Sequence, residues 1–384
     1  MNVSQTIDIK EGKARLRLTN SAGTQEVFYN PKMSLNRDIA VLFAGSHFPV
    51  WRRLRVCDPM TASAIRAVRY VTECSNVVSV AAADADAASV QSAMRTVELN
   101  GVGQKVSVVQ EEANALLMSH NADRFDLVEL DPYGSPAPFF ESALRATIDG
   151  GVLASSATDM APLTGARPAA CFRKYGVRPI RVEFEKEIAI RVLAGNLAIT
   201  AGKLELGVRI AFSHASDHYA RIYAEVRKGK KEANESMKSL GFLSYCSACL
   251  RRMHHSSLEE IETVCKDCRG KLRIGGPYWF GPLWNISTVD GMIEGCSTLE
   301  SSRLGEVQNL LSRVREEVDA PPSHYRIEIL SHMLRIRPPK IQEVLARLRE
   351  RGHSAVRTHF HANGFRTDAP NCEIISVMKS FDVT

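Results

Sequence analysis

The sequence contains no long apolar run and no secretion signal. Among its 384 residues, no stretch reaches the roughly 18 apolar residues that a membrane-spanning helix needs. The first ten residues, MNVSQTIDIK, have no apolar segment behind basic residues and are not typical of a signal peptide. Internal repeats and low-complexity segments are also absent from the sequence. We therefore expect a cytoplasmic protein that makes no use of a membrane.

The cysteines do not form the pattern of a disulfide-bonded protein. There are nine, an odd number, in a chain without a secretion signal. Four of them form two Cys-x-x-Cys pairs separated by fifteen residues: Cys246, Cys249, Cys265 and Cys268. This spacing is typical of a structural Zn²⁺ site, and four thiolates leave no open coordination position for catalysis. We predict structural zinc in a segment spanning 240–275.

Positive charge is concentrated near the end of the chain. The formal net charge is +6, and residues 335–366 contain eight Lys or Arg against two acids, Glu343 and Glu350. Such a patch favours a polyanionic partner such as tRNA or DNA. A solvated helix face is the plain alternative.

The first half of the chain alternates apolar runs with helical patterns. This alternation predicts a Rossmann-like parallel sheet with helices on both faces. Helical spacing is found at 61–73, 84–99, 112–120 and 137–148, and at 185–201. The predicted strands are LRVCDP (54–59), VVSVAA (77–82), KVSVV (105–109), FDLVEL (125–130) and GGVLASSA (150–157).

Two later strand-like runs, 204–212 and 218–227, predict an antiparallel hairpin that ends the sheet. Five parallel strands followed by such a hairpin are typical of class I methyltransferases. We assign 1–230 to this α/β domain and 231–384 to a smaller α+β domain. Helical patterns at 300–318, 324–334 and 338–351, followed by strand-like pieces around Asn363-Gly364, favour a winged-helix-like module at about 300–384.

The sharpest chemical signal is DPYGSP, which directly follows a predicted buried strand. An aromatic amine is a poor nucleophile because its lone pair is delocalised into the ring. Asp131 and the carbonyl of Pro132 can accept its two protons, and Tyr133 can stack on the base, a contact of about 1–3 kcal/mol. A simple Asp-Pro turn is the structural alternative. The position at a strand end favours a catalytic site.

Acidic residues also follow the other strands. Asp58 ends the first strand, Asp84 ends the second, and Glu112-Ala113 follows the third. Asp84 is placed to bind ribose hydroxyls, and Glu112-Ala113 to reach an adenine. The usual glycine-rich fingerprint is missing, and each acid alone could be a helix N-cap. Their serial placement predicts a nucleotide-like cofactor cleft.

These motifs together resemble those of the tRNA guanine-26 N2-dimethyltransferase family in its archaeal-like form. The similarity covers most of the chain and includes VFYNPKMSLNRD (27–38), DPMTASAIRAVR (58–69), DPYGSP (131–136), SSATDMAPLTG (155–165) and RTHFHANGFRTDAP (357–370). The resemblance implies S-adenosylmethionine as cofactor and tRNA as partner, with mono- and then dimethylation of guanine N2. No obligate protein partner is implied.

The resemblance also implies roles for individual residues. It places Arg37, Arg66, Asp84, Glu112 and Ala113 at the cofactor, Asp131 as the catalytic carboxylate and Tyr133 as the stacking aromatic. Tyr133 replaces the more usual Phe, and Glu112 stands where an Asp is expected.

Two other functions are compatible with parts of the sequence. A non-catalytic zinc-ribbon and winged-helix binder of nucleic acid would leave Asp131 and the acids at 58, 84 and 112 unexplained. A methyltransferase for another tRNA guanine, or for adenine in DNA, is a closer alternative. DNA amino-methyltransferases generally have a doubled proline before the aromatic, which DPYGSP lacks.

Overall fold

The computed structural model of the protein describes residues 5–21, 24–25, 29–120, 123–216 and 218–381. Residues 1–4, 27–28 and 217, to which the sequence interpretation refers, lie outside this part of the chain. Within it, no helix is both long and apolar enough to cross a membrane.

The N-terminal part is a small antiparallel sheet followed by a helix that packs on the main sheet. The sequence interpretation did not predict these elements. They are β1 (Gln5–Glu11), β2 (Ala14–Ser21), β3 (Thr24–Gln25), a 3₁₀ turn (Pro31–Met33) and α1 (Ser34–Ser46).

The predicted α/β alternation follows and is present, strand by strand. The runs at 54–59, 125–130 and 150–157 form strands whose residues are mostly buried, as is typical of a parallel sheet covered by helices. The run at 105–109 is the exception, because it forms an edge strand in which only Val106 is buried. The elements are β4 (Leu54–Asp58), α2 (Ile65–Glu73), β5 (Val77–Asp84), α3 (Ala87–Leu99), β6 (Val106–Gln110), α4 (Ala113–Ser119), β7 (Phe125–Leu130), a 3₁₀ turn (Ala137–Phe139), α5 (Phe140–Ala146) and β8 (Thr147–Ala157).

The main sheet is completed by two long strands after three helices. These elements are α6 (Met160–Leu163), α7 (Pro168–Tyr175), α8 (Glu185–Lys203), β9 (Leu206–Ala215) and β10 (Ala220–Lys228). The strand order is β6-β5-β4-β7-β8-β10-β9, with β10 antiparallel to both β8 and β9. This order is that of a Rossmann-like methyltransferase sheet.

A second three-stranded sheet carries the cysteine pairs and packs on α8. The charged stretch directly before it is a helix. The elements are α9 (Lys230–Lys238), β11 (Leu240–Cys246), β12 (Arg252–His255), a 3₁₀ turn (Leu258–Glu260) and β13 (Leu272–Trp279).

The C-terminal part combines helices with a third small sheet of order β14-β16-β15. The strand-like pieces expected around Asn363-Gly364 do not continue beyond Pro370, which is the N-cap of a helix whose apolar residues are buried. The elements are α10 (Ile286–Gly295), α11 (Leu304–Glu317), β14 (Tyr325–Arg326), α12 (Ile327–Leu334), α13 (Ile341–Glu350), β15 (Ala355–Arg357), β16 (Gly364–Thr367) and α14 (Asn371–Lys379).

Candidate functional site

The acidic residues predicted at strand ends lie along one edge of the main sheet. β5, β4 and β7 are adjacent and parallel, so Asp84, Asp58 and Asp131 follow one another at their carboxyl ends. Glu112 follows the next strand, β6, which pairs with β5. This is the edge at which parallel α/β sheets bind ligands.

The loop between β4 and α2 has a backbone conformation that usually requires glycine. Ala62 and Ala64 have φ angles of 47° and 58°, in the left-handed region. The amide of Ala62 donates to Asp84 Oδ2 at 3.0 Å, which holds the loop against β5. Each such residue costs on the order of 1–3 kcal/mol and is typical of functional sites. The loop thus has a left-handed backbone without the glycine-rich fingerprint.

Asp58 is a buried carboxyl group beneath this loop. Only 2% of the residue is exposed, and Oδ2 accepts a hydrogen bond from the Thr61 hydroxyl at 2.9 Å. Burial raises the pKa of Asp58 to about 7, with Glu129 and Asp131 adding to the effect and Arg66 opposing it. Asp58 therefore stabilises the loop by accepting a hydrogen bond rather than by pairing with a cation.

Glu112 acts as the N-cap of α4. Its carboxylate accepts from the amide of Ala115 at 3.1 Å and from Asn114 Nδ2 at 3.3 Å. Ala113 is the first residue of the helix and is buried. The N-cap alternative considered for the acids therefore holds for Glu112, although the residue stays at the carboxyl edge.

Asp131 is held by an arginine from the neighbouring helix α2. Nη2 of Arg66 donates to Asp131 Oδ2, and Nη1 of the same guanidinium donates to Asn36 Oδ1 at 3.1 Å. Arg66 and Asn36 are buried, whereas the side chain of Asp131 is 19% exposed. Asp131 therefore lies at the edge of the sheet with Oδ2 held by the buried Arg66.

A buried carboxylate beneath Asp131 organises this support. Glu129 is fully buried and accepts two hydrogen bonds from Arg221 Nη2, at 2.7 and 2.9 Å, and one from the Tyr70 hydroxyl. Arg66 Nη1 lies 3.9 Å from Glu129 Oε2. Sequence reasoning missed this group. The available signal was a glutamate inside a strand of mostly apolar residues, because a glutamate requires a partner when buried.

Tyr133 is an exposed aromatic residue between a buried proline and a glycine with positive φ. Pro132 on one side is buried, while Tyr133 itself is 75% exposed. Gly134 has φ of +85°, a conformation that a larger residue would adopt only with strain. The aromatic ring two residues after Asp131 is therefore largely exposed.

Arg37, which the resemblance places at the cofactor, makes its contacts within the N-terminal part. Its guanidinium pairs with Glu11 through hydrogen bonds of 2.6 and 2.5 Å and donates to the carbonyl of Asn30 at 3.2 Å. The ring of Tyr29 lies 5.2 Å from the guanidinium carbon. The neighbouring residue Asn36 contacts Arg66, so α1 connects this cluster to the Asp131 support.

The four cysteines of the predicted zinc site converge. Their sulfur atoms all lie within 4.8 Å of one another. Cys246 Sγ is 3.4 Å from Cys268 Sγ, and Cys249 Sγ is 3.6 Å from Cys265 Sγ. A tetrahedral site with Zn–S bonds of about 2.3 Å places sulfurs about 3.8 Å apart. The arrangement fits a tetrahedral metal ion.

The two cysteine pairs lie on turns with the same hydrogen-bond pattern. In each turn the residue after the second cysteine, Leu250 or Arg269, has φ of +62° and donates its amide to the carbonyl of the first cysteine. Burial raises the pKa of the Cys265 thiol, but amide hydrogen bonds from Cys268 and Asp267 outweigh it and lower the pKa. Backbone amides that stabilise a thiolate suit a metal ligand.

Much of the predicted basic patch is engaged with its own chain. Arg347, Arg349 and Arg351 each bond to a group near the C-terminus or on β15. The partners are Ser380 for Arg347, the Ala355 carbonyl for Arg349, and Glu373 with Ser376 for Arg351. Arg366 is buried between two carboxylates and cannot reach a ligand. Arg366 must be removed from the candidate RNA-binding residues.

Three exposed cations of this segment lie in the connection between α12 and α13. Arg335, Arg337 and Lys340 are exposed there, and two prolines, Pro338 and Pro339, restrict the backbone between them. Among the described residues, the one ion pair formed by these three is Lys340 with Glu343, at 4.0 Å. This connection is the most accessible positive segment of the patch.

Comparisons with known proteins bear on the whole chain. The profile of a family described as N2,N2-dimethylguanosine tRNA methyltransferase matches residues 8–379. A tRNA (guanine(26)-N(2))-dimethyltransferase from Methanobrevibacter smithii is 34% identical, covering 92% of this chain and 91% of that protein. A tRNA (guanine(26)-N(2)/guanine(27)-N(2))-dimethyltransferase from Aquifex aeolicus is 31% identical, covering 97% and 95%. The structure of Trm1 from Pyrococcus horikoshii with S-adenosyl-L-methionine superposes with a TM-score of 0.87 at 30% identity, covering 97% and 99%.

Proposed function

Because the chain belongs to the N2,N2-dimethylguanosine tRNA methyltransferase family, we propose that it methylates the exocyclic N2 amine of a guanine in tRNA. S-adenosylmethionine is the methyl donor, and guanine 26 is the proposed target, modified first once and then twice. The observation that carries this proposal is Asp131, followed by Pro132 and Tyr133, at the edge shared with Asp58 and Asp84.

The cofactor is proposed to lie along the carboxyl edge, where it supplies an electrophilic methyl group on a sulfonium. Asp84 would bind the ribose hydroxyls with the lone pairs that its loop contacts leave free. Glu112 and Ala113 would border the adenine. Asp58 would support the loop whose backbone the cofactor approaches. The remaining proposed contacts are Arg37 and Arg66.

The target guanine is proposed to leave its helix stack, because a paired base cannot present its N2 amine to a cleft. Tyr133 would stack on the extruded ring, which its exposed face allows. Asp131 and the Pro132 carbonyl would each accept a hydrogen bond from one N–H of the amine. These hydrogen bonds would aim the nitrogen at the methyl group. Positioning of this kind can supply about 7–11 kcal/mol of a reaction barrier.

Asp131 is also proposed to take up the proton that the amine loses on methylation. Its Oδ2 accepts from Arg66, and the side chain as a whole is 19% exposed. A positioned general base typically contributes about 10²–10⁴-fold to the rate. Arg66 and Glu129 hold the carboxylate in place for both steps of a dimethylation.

Residues 231–384 are proposed to bind tRNA. Cys246, Cys249, Cys265 and Cys268 would hold a structural zinc ion that fixes β11 and β13 against α8. Helices α11, α12 and α13 together with the β14-β16-β15 sheet would form a winged-helix-like module, which consists of three helices and a small sheet. The exposed cations Arg335, Arg337 and Lys340 would contact the phosphate backbone.

Nucleoside analysis of tRNA treated with the enzyme and S-adenosylmethionine tests the proposal. We expect N2-methylguanosine early and N2,N2-dimethylguanosine later, both mapped to position 26. Modification only at another guanine would identify the closer alternative. Binding of tRNA without binding of S-adenosylmethionine and without methyl transfer would favour the non-catalytic alternative.

A further inference from the structure

The DPYGSP loop is bonded to a second loop by a reciprocal pair of hydrogen bonds. The amide of Gly134 donates to the Thr158 hydroxyl at 2.7 Å, and the amide of Thr158 donates to the Gly134 carbonyl at 2.9 Å. Thr158 directly follows β8, the strand next to β7 in the sheet. Two neighbouring strands therefore end in loops that hold each other.

The second loop is anchored in turn by a buried tyrosine. The hydroxyl of Tyr175, the last residue of α7, donates to Asp159 Oδ1 at 2.6 Å, and Lys174 Nζ lies 2.8 Å from Asp159 Oδ2. Tyr175 is fully buried, and Ser135 lies within hydrogen-bonding reach of the same hydroxyl. The tyrosine thus contacts both loops at once.

We propose that Thr158, Asp159 and Tyr175 are positioning residues that fix the backbone on the C-terminal side of Tyr133, so that its exposed ring meets the target base in one orientation. This inference rests on the proposed function. Pro132 on one side and the bridged Gly134 on the other restrict the backbone that carries the exposed ring. Preorganisation of this kind lowers the cost of capturing the base.

The same contacts argue against a direct chemical role for Asp159. Its two oxygens already accept from Tyr175 and Lys174, and its side chain is 12% exposed. Burial and the Asp159 side chain both raise the pKa of Tyr175, so the hydroxyl stays a donor. Asp159 serves the loop as a fixed acceptor, whereas Asp131 faces the open edge.

The test uses the full-length enzyme with tRNA that carries 2-aminopurine in place of the target guanine. The fluorescence difference between wild-type and Tyr133→Ala complexes defines the stacked signal. For Tyr175→Phe we expect this signal to move toward that of Tyr133→Ala, and kcat on natural tRNA to fall about tenfold with KM for the cofactor unchanged. Thr158→Val should lower kcat about fivefold, as loss of one hydrogen bond predicts, and Thr158→Ser should restore it.

Tyr278→Phe is the matched control, because Tyr278 is equally buried and its hydroxyl accepts from the amide of Ile180 instead of bonding to Asp159. We expect it to lose thermal stability with kcat unchanged. A Tyr175→Phe enzyme with wild-type kcat and wild-type fluorescence would overturn the inference, as would equal losses of kcat in Tyr175→Phe and Tyr278→Phe. Both results leave the proposed function intact. That function fails instead if the wild-type enzyme transfers no methyl group.

Discussion

Arg366 Nε and Glu317 Oε2 lie 2.6 Å apart in an ion pair that is closed to solvent. The same guanidinium reaches Glu187 on α8, where Nη2 is 3.0 Å from Oε2. All three residues are at most 1% exposed. Through Glu187, Arg366 therefore joins the C-terminal part to a helix that packs on the main sheet. Loss of one carboxylate partner leaves an unbalanced buried charge.

Glu317→Gln should destabilise the protein by about 3 kcal/mol at pH 7, since breaking a buried pair typically costs 3–5 kcal/mol. Burial raises the pKa of Glu317, but His359 and Arg366 outweigh it and bring the pKa down from 4.5 to about 2. A lowered carboxyl pKa gives stability above the unfolded pKa that is lost as pH falls. The gap between variant and wild type, measured by denaturant unfolding, should shrink between about pH 4.5 and 2.

Glu306→Gln is the control for this prediction, because Glu306 pairs with Arg303 at the surface. Its effect should stay within about 0.5 kcal/mol at every pH. A Glu317→Gln variant as stable as the wild type at pH 7 would contradict the role given to the pair.

Asp131→Ala should abolish methyl transfer while S-adenosylmethionine and tRNA still bind. The reason is that both the hydrogen bond to the amine and the proton acceptor are lost. Single-turnover assays with radiolabelled cofactor, together with binding titrations, measure both quantities. A fully active Asp131→Ala enzyme would refute the mechanism.

Substitutions of Tyr133 should separate stacking from hydrogen bonding. Tyr133→Phe keeps the aromatic face and should retain near-wild-type kcat. Tyr133→Ala loses about 1–3 kcal/mol of base stacking and should be impaired by about tenfold or more. Equal activities of the two variants in a steady-state assay would exclude stacking as the function of this residue.

Cys265→Ser should release metal and loosen the segment 240–275 more than the main sheet, because structural zinc binding is coupled to folding. Metal analysis and hydrogen exchange measure the two effects. Cys372→Ser, at an exposed cysteine outside the cluster, should change neither. Native protein prepared without chelators and found free of zinc would disprove the site.

Arg337→Gln should weaken tRNA binding and reduce the salt dependence of log Kd by about one unit of slope. Cofactor affinity should stay unchanged. Arg351→Gln should leave the slope as it is, because Arg351 already pairs with Glu373 at 2.9 Å. If Arg335→Gln, Arg337→Gln and Lys340→Gln all bind tRNA with the wild-type slope, this connection is only a solvated surface.

The main sheet was predictable because each of its strands is a single, mostly apolar run in the sequence. FDLVEL ends at Leu130, directly before Asp131, and the acid at each strand end marks the edge. The four-cysteine cluster was equally visible, since ligand spacing alone limits its geometry. Both signals are local in sequence.

Contacts between distant segments were not predictable in the same way. Arg366 was counted as part of a basic surface because its neighbours are charged, yet its partner Glu187 precedes it by 179 positions. The left-handed Ala62 likewise donates its amide to Asp84, which belongs to another strand. A single sequence carries no pattern for such tertiary compensation.

The buried junction between Arg366, Glu317 and Glu187 has a consequence for how far along a bound tRNA the enzyme reaches. Separation of the C-terminal part from α8 would leave Arg366 and Glu187 without each other in a partly buried environment, which is costly. The two parts therefore move as one body. Under the proposed function, the span from the phosphate-binding connection at 335–340 to Asp131 is then constant. The enzyme would then select the target nucleotide by its fixed distance from the phosphate contacts of this connection. The bases around the target would not decide the choice.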